Sequence, residues 1–214
     1  MKVMDKKTSI LEAAIKLFST KGYDAASVRD IAELAGVNLA MISYYFGSKE
    51  KLMESLFHEK MDASKIKIET ILKDTSLTPF EKVERMLSDY VSKVVANQSF
   101  YKIMLYEQVL KQNPVILKLI KELKLNYAFL TSELIKEGQR SGDFKKEVDV
   151  ILALNTLTGT VTQAVINQDY YFEFNNYQKL TTKERNELLY DKLYNHQRII
   201  FKTLLGKKKK KILF

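Results

Sequence analysis

The stretch VRDIAELAGVNLAMISYYF, from Val28 to Phe46, decides the fold of this chain. Two short helices that meet at a sharp angle need a small residue where they approach each other, and Ala32 is that residue. The turn between them needs a residue that tolerates a positive φ, and Gly36 is suited to it. The apolar side chains with the spacing to face a common core are Ile31, Ala35, Val37, Ile42 and Tyr45. The joint occurrence of these features predicts a helix-turn-helix.

Capping residues delimit the helices around this stretch. A first helix over residues 10–18 has apolar residues at helical spacing, and Gly22 follows it where a left-handed cap costs little. Ser27 and Asp30 form a capping pair at the start of the second helix. Ser48 is placed to cap a fourth helix. The sequence therefore predicts a compact three-helix module of about fifty residues.

The remainder of the chain predicts long helices with few connections, because 214 residues contain only two prolines and seven glycines. We expect further helices at about 49–72, 80–96, 100–112, 115–138 and 148–168, and a last helix from Thr181 and Glu184 to Gly206. No internal repeat and no strand is expected. The predicted fold class is all-α, with an N-terminal helix-turn-helix domain at residues 1–48, a C-terminal helical bundle at 49–206 and a basic tail at 207–214.

The net charge of +9 and the pI near 9.4 favour an anionic partner, the alternative being a soluble protein with a lysine-rich surface. The chain has no cysteine, which excludes disulfides and thiolate chemistry and fits a reducing cytoplasm. The N-terminal sequence lacks the apolar run of a secretory signal, and no segment has the apolar length of a membrane span. We expect a cytoplasmic protein.

Catalytic and metal-binding patterns are missing from the sequence. His58 and His196 are the two histidines, and neither lies in a cluster with metal-ligand spacing. There is no glycine-rich phosphate loop and no G-x-S-x-G motif. The sequence therefore predicts no enzyme activity, no metal and no cofactor. A rival hypothesis is a helical adaptor that binds a protein or an acidic membrane surface without recognising an operator.

The segment from Ile10 to Leu56 resembles the DNA-binding domain of TetR/AcrR-type regulators. It has the LF and KGY of the first helix, SVRDIAELAGV in the second, and YYF-GSKEKL leading into the fourth. The resemblance implies a transcriptional regulator, usually a repressor, that binds double-stranded operator DNA with palindromic sequence as a homodimer. It also implies that the third helix enters the major groove and that the bundle serves dimerisation and ligand binding.

The resemblance assigns DNA contacts residue by residue. Tyr45 and Lys49 match positions that usually contact phosphate, and Ser27 and Arg29 are suited to the same role, a base contact being the alternative for Arg29. The face of the third helix that we expect to read bases comprises Asn38, Leu39, Ala40, Ser43 and Tyr44. Many family members carry a lysine or another polar residue where this chain has Leu39. Because the third helix has neither arginine nor lysine, the bidentate arginine–guanine contact is absent and we expect an operator rich in A·T steps.

The bundle carries two further sets of candidate residues. A mostly apolar or aromatic effector is predicted to contact Tyr90, Tyr101, Met104, Tyr127, Asn155, Thr158 and Thr162, although aromatic residues at this spacing also form ordinary cores. By analogy with the family, the dimer contacts are Thr156, Gly159, Leu189, Leu193, His196 and Ile200, the alternative being packing within one subunit. A protein partner in place of the effector remains open.

Two basic segments lie at the ends of the chain. Lys2, Lys6 and Lys7 form a short arm that can reach DNA, or else a solvated start. The tail Lys207–Lys211 can contact DNA or an acidic surface, or else serve as a solubilising end.

Overall fold

The computed structural model of the protein describes residues 5–111 and 113–207, the side chains of 61–64 excepted. These ranges contain no β-strand, which agrees with the all-α prediction, and one isolated bridge joins Phe144 to Gly206. The helices of the described ranges are α1 (Lys6–Lys21), α2 (Val28–Leu34), α3 (Leu39–Phe46), α4 (Lys49–Lys73), α5 (Pro79–Ala96), α6 (Gln98–Leu110), α7 (Pro114–Ser141), α8 (Val150–Ile166), α9 (Gln168–Phe174) and α10 (Thr182–Leu205).

Local hydrogen bonds fix where several helices begin. The Thr78 backbone N–H donates to Glu81 Oε2 at 2.8 Å, and the Glu81 N–H donates back to Thr78 Oγ1 at 3.3 Å. Thr181 and Glu184 repeat this capping box at the start of α10. At the start of α7, Asn113 Oδ1 accepts from the backbone of the first turn. Each cap satisfies amides that have no partner inside the helix, and the Thr181–Glu184 cap was predicted from the sequence.

One compact unit, unit 1, consists of Met1–Lys65 and Ser99–Lys124. Its buried core begins in α1 and the helix-turn-helix and continues without interruption into α4, α6 and the first turns of α7. The rings of Phe57 and Phe100 join α4 to α6, with centroids 5.1 Å apart. Core members include Ile10, Phe18, Ile31, Ile42, Leu52, Phe57, Phe100, Ile103 and Ile116. The helix-turn-helix therefore shares one core with α6.

The other compact unit, unit 2, consists of Ile66–Gln98 and Leu125–Phe214. Here α5 packs against α8 and α10, α10 also packs against α8, and α9 packs against α8. Lys82 lies almost fully buried in this unit, where its ammonium donates to the Leu72 carbonyl at 2.9 Å and to both Glu137 oxygens at 2.9 and 3.0 Å. This ammonium caps the end of α4 while its charge is neutralised.

The units divide the chain differently from the predicted domains, since residues 49–65 and 99–124 belong with the helix-turn-helix. The predicted helix at 148–168 ends at Ile166, because Asn167 turns the chain and its side-chain amide donates to the Gln163 carbonyl at 3.2 Å. A further helix, α9, follows this turn and was not predicted. Lys2 of the basic arm and Lys208–Lys211 of the tail lie outside the described residues, whereas Lys6 and Lys7 form the first turn of α1.

Within the described part of the chain, no helix alone combines the length and the apolar composition needed to cross a membrane. The pair α8 and α9 meets those criteria jointly, but it is bent by 70° at its break.

Candidate nucleic-acid interface

The turn of the helix-turn-helix is built as the sequence predicted. Ser27 Oγ accepts from the Asp30 N–H at 3.0 Å, and Asp30 Oδ2 accepts from the Ser27 N–H at 3.3 Å. These bonds hold the pKa of Asp30 below its ordinary value. Gly36 has φ +66°, and the Val37 N–H donates to the Ala32 carbonyl at 3.0 Å. Ala32 is buried, so α2 and α3 meet at a small side chain.

The exposed face of α3 contains the residues that we predicted to read bases. Leu39 is 41% exposed and Tyr44 is 79% exposed, and Ala40 and Ser43 are also exposed. Ile42 lies on the opposite, buried face. Asn38 is the N-cap of α3, where its side-chain oxygen accepts from the Ala40 N–H at 2.9 Å. The cap occupies the carbonyl oxygen of Asn38, which leaves its amide group to donate to a base.

The residues predicted to contact phosphate lie at the start of α2, in α3 and at the start of α4. Ser27 and Arg29 are exposed at the start of α2, and Tyr45 is half-buried beside Tyr44 with ring centroids 5.1 Å apart. Lys49 is the first residue of α4, where the free amides of the helix start also favour an anion. The helix-turn-helix thus has an exposed α3 face with apolar and hydroxyl side chains, and groups suited to phosphate lie at the starts of α2 and α4.

Lys49 is held in place by the turn between α1 and α2, which the sequence reasoning did not single out. Its ammonium lies 4.3 Å from the centroid of the Tyr23 ring and donates to the Asp24 carbonyl at 3.3 Å. Burial lowers the pKa of Lys49, and the Asp24 carboxylate opposes that change. The tyrosine of the KGY motif was the available signal, since an aromatic face attracts a cation.

The residues predicted to bind an effector are divided between the two units. In unit 2 the Tyr90 hydroxyl lies 3.3 Å from Thr162 Oγ1, and burial raises the pKa of Tyr90 to about 12, with Tyr127 adding to the rise. Thr158 is half-buried on α8, whereas Asn155 on the same helix is exposed. Tyr101 and Met104 belong to unit 1, where they pack against its core. Tyr90, Tyr127 and Thr162 are thus the members that the structure brings together.

A separate groove of about 650 Å³ opens in unit 2 between the end of α4, α5 and α10. Its lining includes the charged side chains of Lys67, Arg85 and Asp89 and the stacked rings of Tyr190 and Tyr194. None of the residues predicted to bind an effector lines this groove. Within the described residues, no group of three histidine, aspartate or glutamate side chains has the arrangement of a metal site.

The predicted dimer residues do not all face the same way. Leu189 and Leu193 are buried within unit 2, so their assignment to a dimer face is corrected: they pack inside the subunit. Gly159 on α8 and His196 on α10 are exposed, and Thr156 and Ile200 are half-buried. Further apolar side chains are exposed on the same two helices, namely Ile151, Leu152, Ile199 and Leu204.

The sequence of this chain is similar to those of known proteins. Residues 10–56 match the bacterial regulatory proteins of the tetR family, and residues 57–188 match the C-terminal region of YsiA-like proteins. The fatty acid metabolism regulator protein of Bacillus subtilis (strain 168) is 29% identical over 160 residues, which cover 75% of this chain and 81% of that protein.

Solved structures agree over nearly the whole chain. The fatty acid degradation regulator FadR from Bacillus halodurans has a TM-score of 0.67 and 26% identity, covering 92% of this chain and 97% of that chain. FadR from Bacillus subtilis, in complex with stearoyl-CoA, has a TM-score of 0.62 and 27% identity, covering 87% and 97%. The two sequence matches together run from the first helix to the start of α10. The chain therefore belongs to the TetR family: it is a DNA-binding transcriptional regulator rather than an enzyme, with an N-terminal helix-turn-helix and a C-terminal helical domain.

Proposed function

We propose that this regulator is a cytoplasmic, homodimeric repressor that binds a palindromic operator through α3 and leaves it when a mostly apolar ligand binds. The observation that carries the proposal is the exposed face of α3, where Leu39, Ala40, Ser43 and Tyr44 are in solvent, with Lys49 at the start of the next helix. Membership of a family of transcriptional regulators argues against the alternative of a helical adaptor.

In the proposed complex, one group of residues contacts phosphates and another reads the bases. Ser27, Arg29, Tyr45 and Lys49 bind phosphates and set the register of the protein, which is independent of sequence. The α3 face reads bases through the Asn38 amide, the Ser43 hydroxyl and apolar contact with thymine methyl groups. In a dimer the two α3 helices would lie about one DNA turn (~35 Å) or more apart, which requires a palindromic site.

Selection of bound sequences from a random duplex pool, followed by salt titration of the enriched site, tests the operator. We expect a palindrome rich in A·T steps and a steep loss of affinity with salt, because each neutralised phosphate releases counterions. Asn38→Ser is the sharpest variant, since serine keeps an oxygen to cap α3 while the amide donor is lost. An altered half-site would support base reading by Asn38, and an unaltered one would refute it. If no sequence is enriched, the operator proposal fails.

The proposed effector is a long-chain fatty acyl-CoA or a ligand of similar apolar character. Support comes from the relatives, which are named as regulators of fatty acid metabolism or degradation, one of them solved with stearoyl-CoA. In this chain we place the ligand in unit 2 beside the Tyr90–Thr162 hydroxyl pair and Tyr127, where α5, α7 and α8 supply the walls. Buried aromatic rings with few hydroxyl groups suit an acyl chain better than a strongly charged group.

Release of labelled operator by stearoyl-CoA tests this assignment, with coenzyme A and free stearate as controls. An effector with a coupling of about 1–3 kcal/mol weakens DNA binding about 5- to 150-fold. Tyr90→Phe and Thr162→Val are expected to change the effector concentration needed for release while leaving ligand-free operator affinity unaltered. Release by coenzyme A alone would contradict an apolar site, and no release by any of the three would refute the acyl-CoA class.

The proposed dimer uses the exposed faces of α8 and α10, with Thr156, Gly159, His196 and Ile200 among its contacts. The exposed Leu152 and Ile199 are the apolar side chains that such an interface would cover. An interface of this kind is isologous, so each contact occurs twice. Sedimentation velocity of the purified protein tests it, and a monomer at micromolar concentration would refute a stable dimer.

A further inference from the structure

The groove in unit 2 between the end of α4, α5 and α10 is a cavity that the proposed function does not use. Its volume of about 650 Å³ lies within the range of about 300–1,000 Å³ that is common for small-molecule sites. Tyr90 and Thr162, where we place the apolar effector, do not line it. The side chains that do line it decide which kind of molecule it can hold.

Aromatic and aliphatic side chains form part of the lining. From α10, the rings of Tyr190 and Tyr194 stack almost parallel, with centroids 5.9 Å apart and planes 6° apart. The Tyr190 hydroxyl lies 2.8 Å from Ser88 Oγ of α5, and this hydrogen bond fixes the position of the ring. Ile71 at the end of α4 and Leu77 in the turn after it add aliphatic surface. Such a lining favours a ligand with a flat apolar ring.

Two of the carboxylates in the lining are already bonded at the start of α5 and to α10. Glu81 Oε2 accepts from the Thr78 N–H at 2.8 Å, as part of the cap of α5. Glu84 Oε1 accepts from Arg198 Nε at 2.6 Å and lies 3.3 Å from Lys202 Nζ. The negative charge of Glu84 is therefore shared by two cations.

The third carboxylate in the lining, Asp89, is also shared by two cations. Its side chain is only 6% exposed, and it forms ion pairs with Lys67 and Lys93, the latter with 2.5 Å between Oδ2 and Nζ. Of these two lysines, Lys67 lines the groove. Because one carboxylate faces two ammonium groups, this cluster has one positive charge in excess, and a cationic ligand would be repelled there.

Arg85 is the charged side chain of the lining that is held most loosely. Its Nη1 lies 3.7 Å from Asp74 Oδ2, which is longer than a hydrogen bond, and the side chain is 59% exposed. Asp74 is itself bonded to Ser76, whose N–H and hydroxyl donate to Oδ1 at 3.0 and 2.6 Å. The Arg85 guanidinium thus retains donors in the fork geometry that matches a carboxylate.

We propose that this groove is a second ligand site, which binds an aromatic carboxylate. The ring lies against Tyr190 and Tyr194, and the carboxylate binds Arg85, with the excess positive charge at Lys67 adding attraction. One molecule can contact all of these groups because they line the same groove. The site is independent of the operator contacts and of the apolar effector, so either of those proposals can fail while this one holds.

Isothermal titration calorimetry of the full-length protein tests the site with three probes of one shape. Naphthoate has the ring and the charge, naphthamide lacks the charge, and decahydronaphthoate keeps the charge on a saturated ring. The two variants are Arg85→Gln and Tyr194→Leu. Their matched controls are Arg140→Gln on α7 and Tyr170→Leu on α9, which change exposed residues of the same unit that do not line the groove.

We expect naphthoate to bind saturably, with naphthamide about tenfold or more weaker, because a hydrogen bond to a charged group is lost. Decahydronaphthoate should bind about two- to tenfold more weakly than naphthoate, since it cannot stack on the tyrosines. Arg85→Gln should weaken naphthoate about ten- to hundredfold and remove its preference over naphthamide. Tyr194→Leu should remove the preference for naphthoate over decahydronaphthoate, and both control variants should bind as the natural chain does.

Three results would overturn the inference. The first is the absence of saturable naphthoate binding. The second is equal affinity for naphthoate and naphthamide in the natural chain, which would show that the carboxylate is not recognised. The third is naphthoate binding that neither Arg85→Gln nor Tyr194→Leu alters, which would place the molecule outside this groove. Operator selection and release by stearoyl-CoA are measured separately, so the proposed function stands or fails on its own.

Discussion

Replacing Gly159 with alanine separates the stability of a single subunit from the stability of the proposed dimer. Gly159 lies in the middle of α8, is exposed, and a Cβ added there would meet no atom within 4 Å in its own subunit. In an isolated subunit Gly159→Ala should therefore stabilise the helix by about 0.8–1 kcal/mol, which is the difference in helix propensity. The gain needs no rearrangement, because no neighbour must move.

The proposed dimer reverses this expectation. If α8 packs against a partner helix at Gly159, the new methyl group has no room there, and overpacking a close contact costs about 1–3 kcal/mol. An isologous interface contains the contact twice, so the dimer loses about 2–6 kcal/mol. Since each 1.4 kcal/mol is a tenfold change, the dissociation constant should increase about thirtyfold or more. The substitution then stabilises the monomer and destabilises the dimer.

Sedimentation velocity over a range of protein concentrations measures the second effect, and urea denaturation at a concentration where the variant is monomeric measures the first. Asn126→Ala is the matched control, because Asn126 is an exposed position of a different helix, α7, where alanine also gains helix propensity. A Gly159→Ala protein that self-associates as tightly as the natural chain would refute the placement of the dimer contact at α8.

Three further substitutions probe single structural features. Lys49→Met should weaken binding to operator and to random DNA alike, and it should reduce the slope of log affinity against log salt concentration by about 0.9. Lys73→Met at the end of α4 is the control. An unchanged slope would exclude a phosphate contact of Lys49. Gly138→Ala should lower the free energy of unfolding, measured by urea denaturation, by about 2 kcal/mol. The new Cβ would lie 2.2 Å from the buried Phe144 ring, and this clash outweighs the gain in helix propensity. Equal stability would show that the ring can move. Burial raises the pKa of Glu107 in the folded protein, so its contribution to stability is present below the unfolded pKa and is lost as the pH rises through the folded pKa. Urea denaturation should therefore show that Glu107→Gln is more stable relative to the natural chain at neutral pH than at acidic pH. A difference in the free energy of unfolding that stays constant across pH would contradict this.

Local features of the fold were predictable because their causes lie within a few residues. A capping box needs only a hydroxyl and a carboxylate three residues apart, and Thr181 with Glu184 forms one as expected. Gly36 was predicted from the need for a positive φ at the turn, and it has that conformation. The exposed α3 face followed from helical periodicity once Ile42 was assigned to the core.

Features that depend on distant neighbours were not predictable in the same way. Periodicity showed that Leu189 and Leu193 share a face of α10, but not whether that face packs against its own subunit or against a partner. A glutamate on a helix is normally solvated, and only the tertiary packing of α6 makes Glu107 a buried one. The residues predicted to bind an effector lie in two different units, because aromatic content indicates that a ring is buried but not in which core it packs.

The continuity of the unit 1 core changes what regulation of this protein requires. A boundary at residue 48 would leave a three-helix module that folds alone and is merely carried by the bundle. Instead Phe57 and Phe100 join α4 to α6, and Ile116 of α7 belongs to the same buried cluster as Ile10 and Ile42. A packed core of this kind resists gradual deformation. A ligand that displaces α6 or the start of α7 must therefore also change the packing of the helix-turn-helix. A difference of a few kcal/mol in ligand binding between the two packings is enough to change DNA affinity by orders of magnitude.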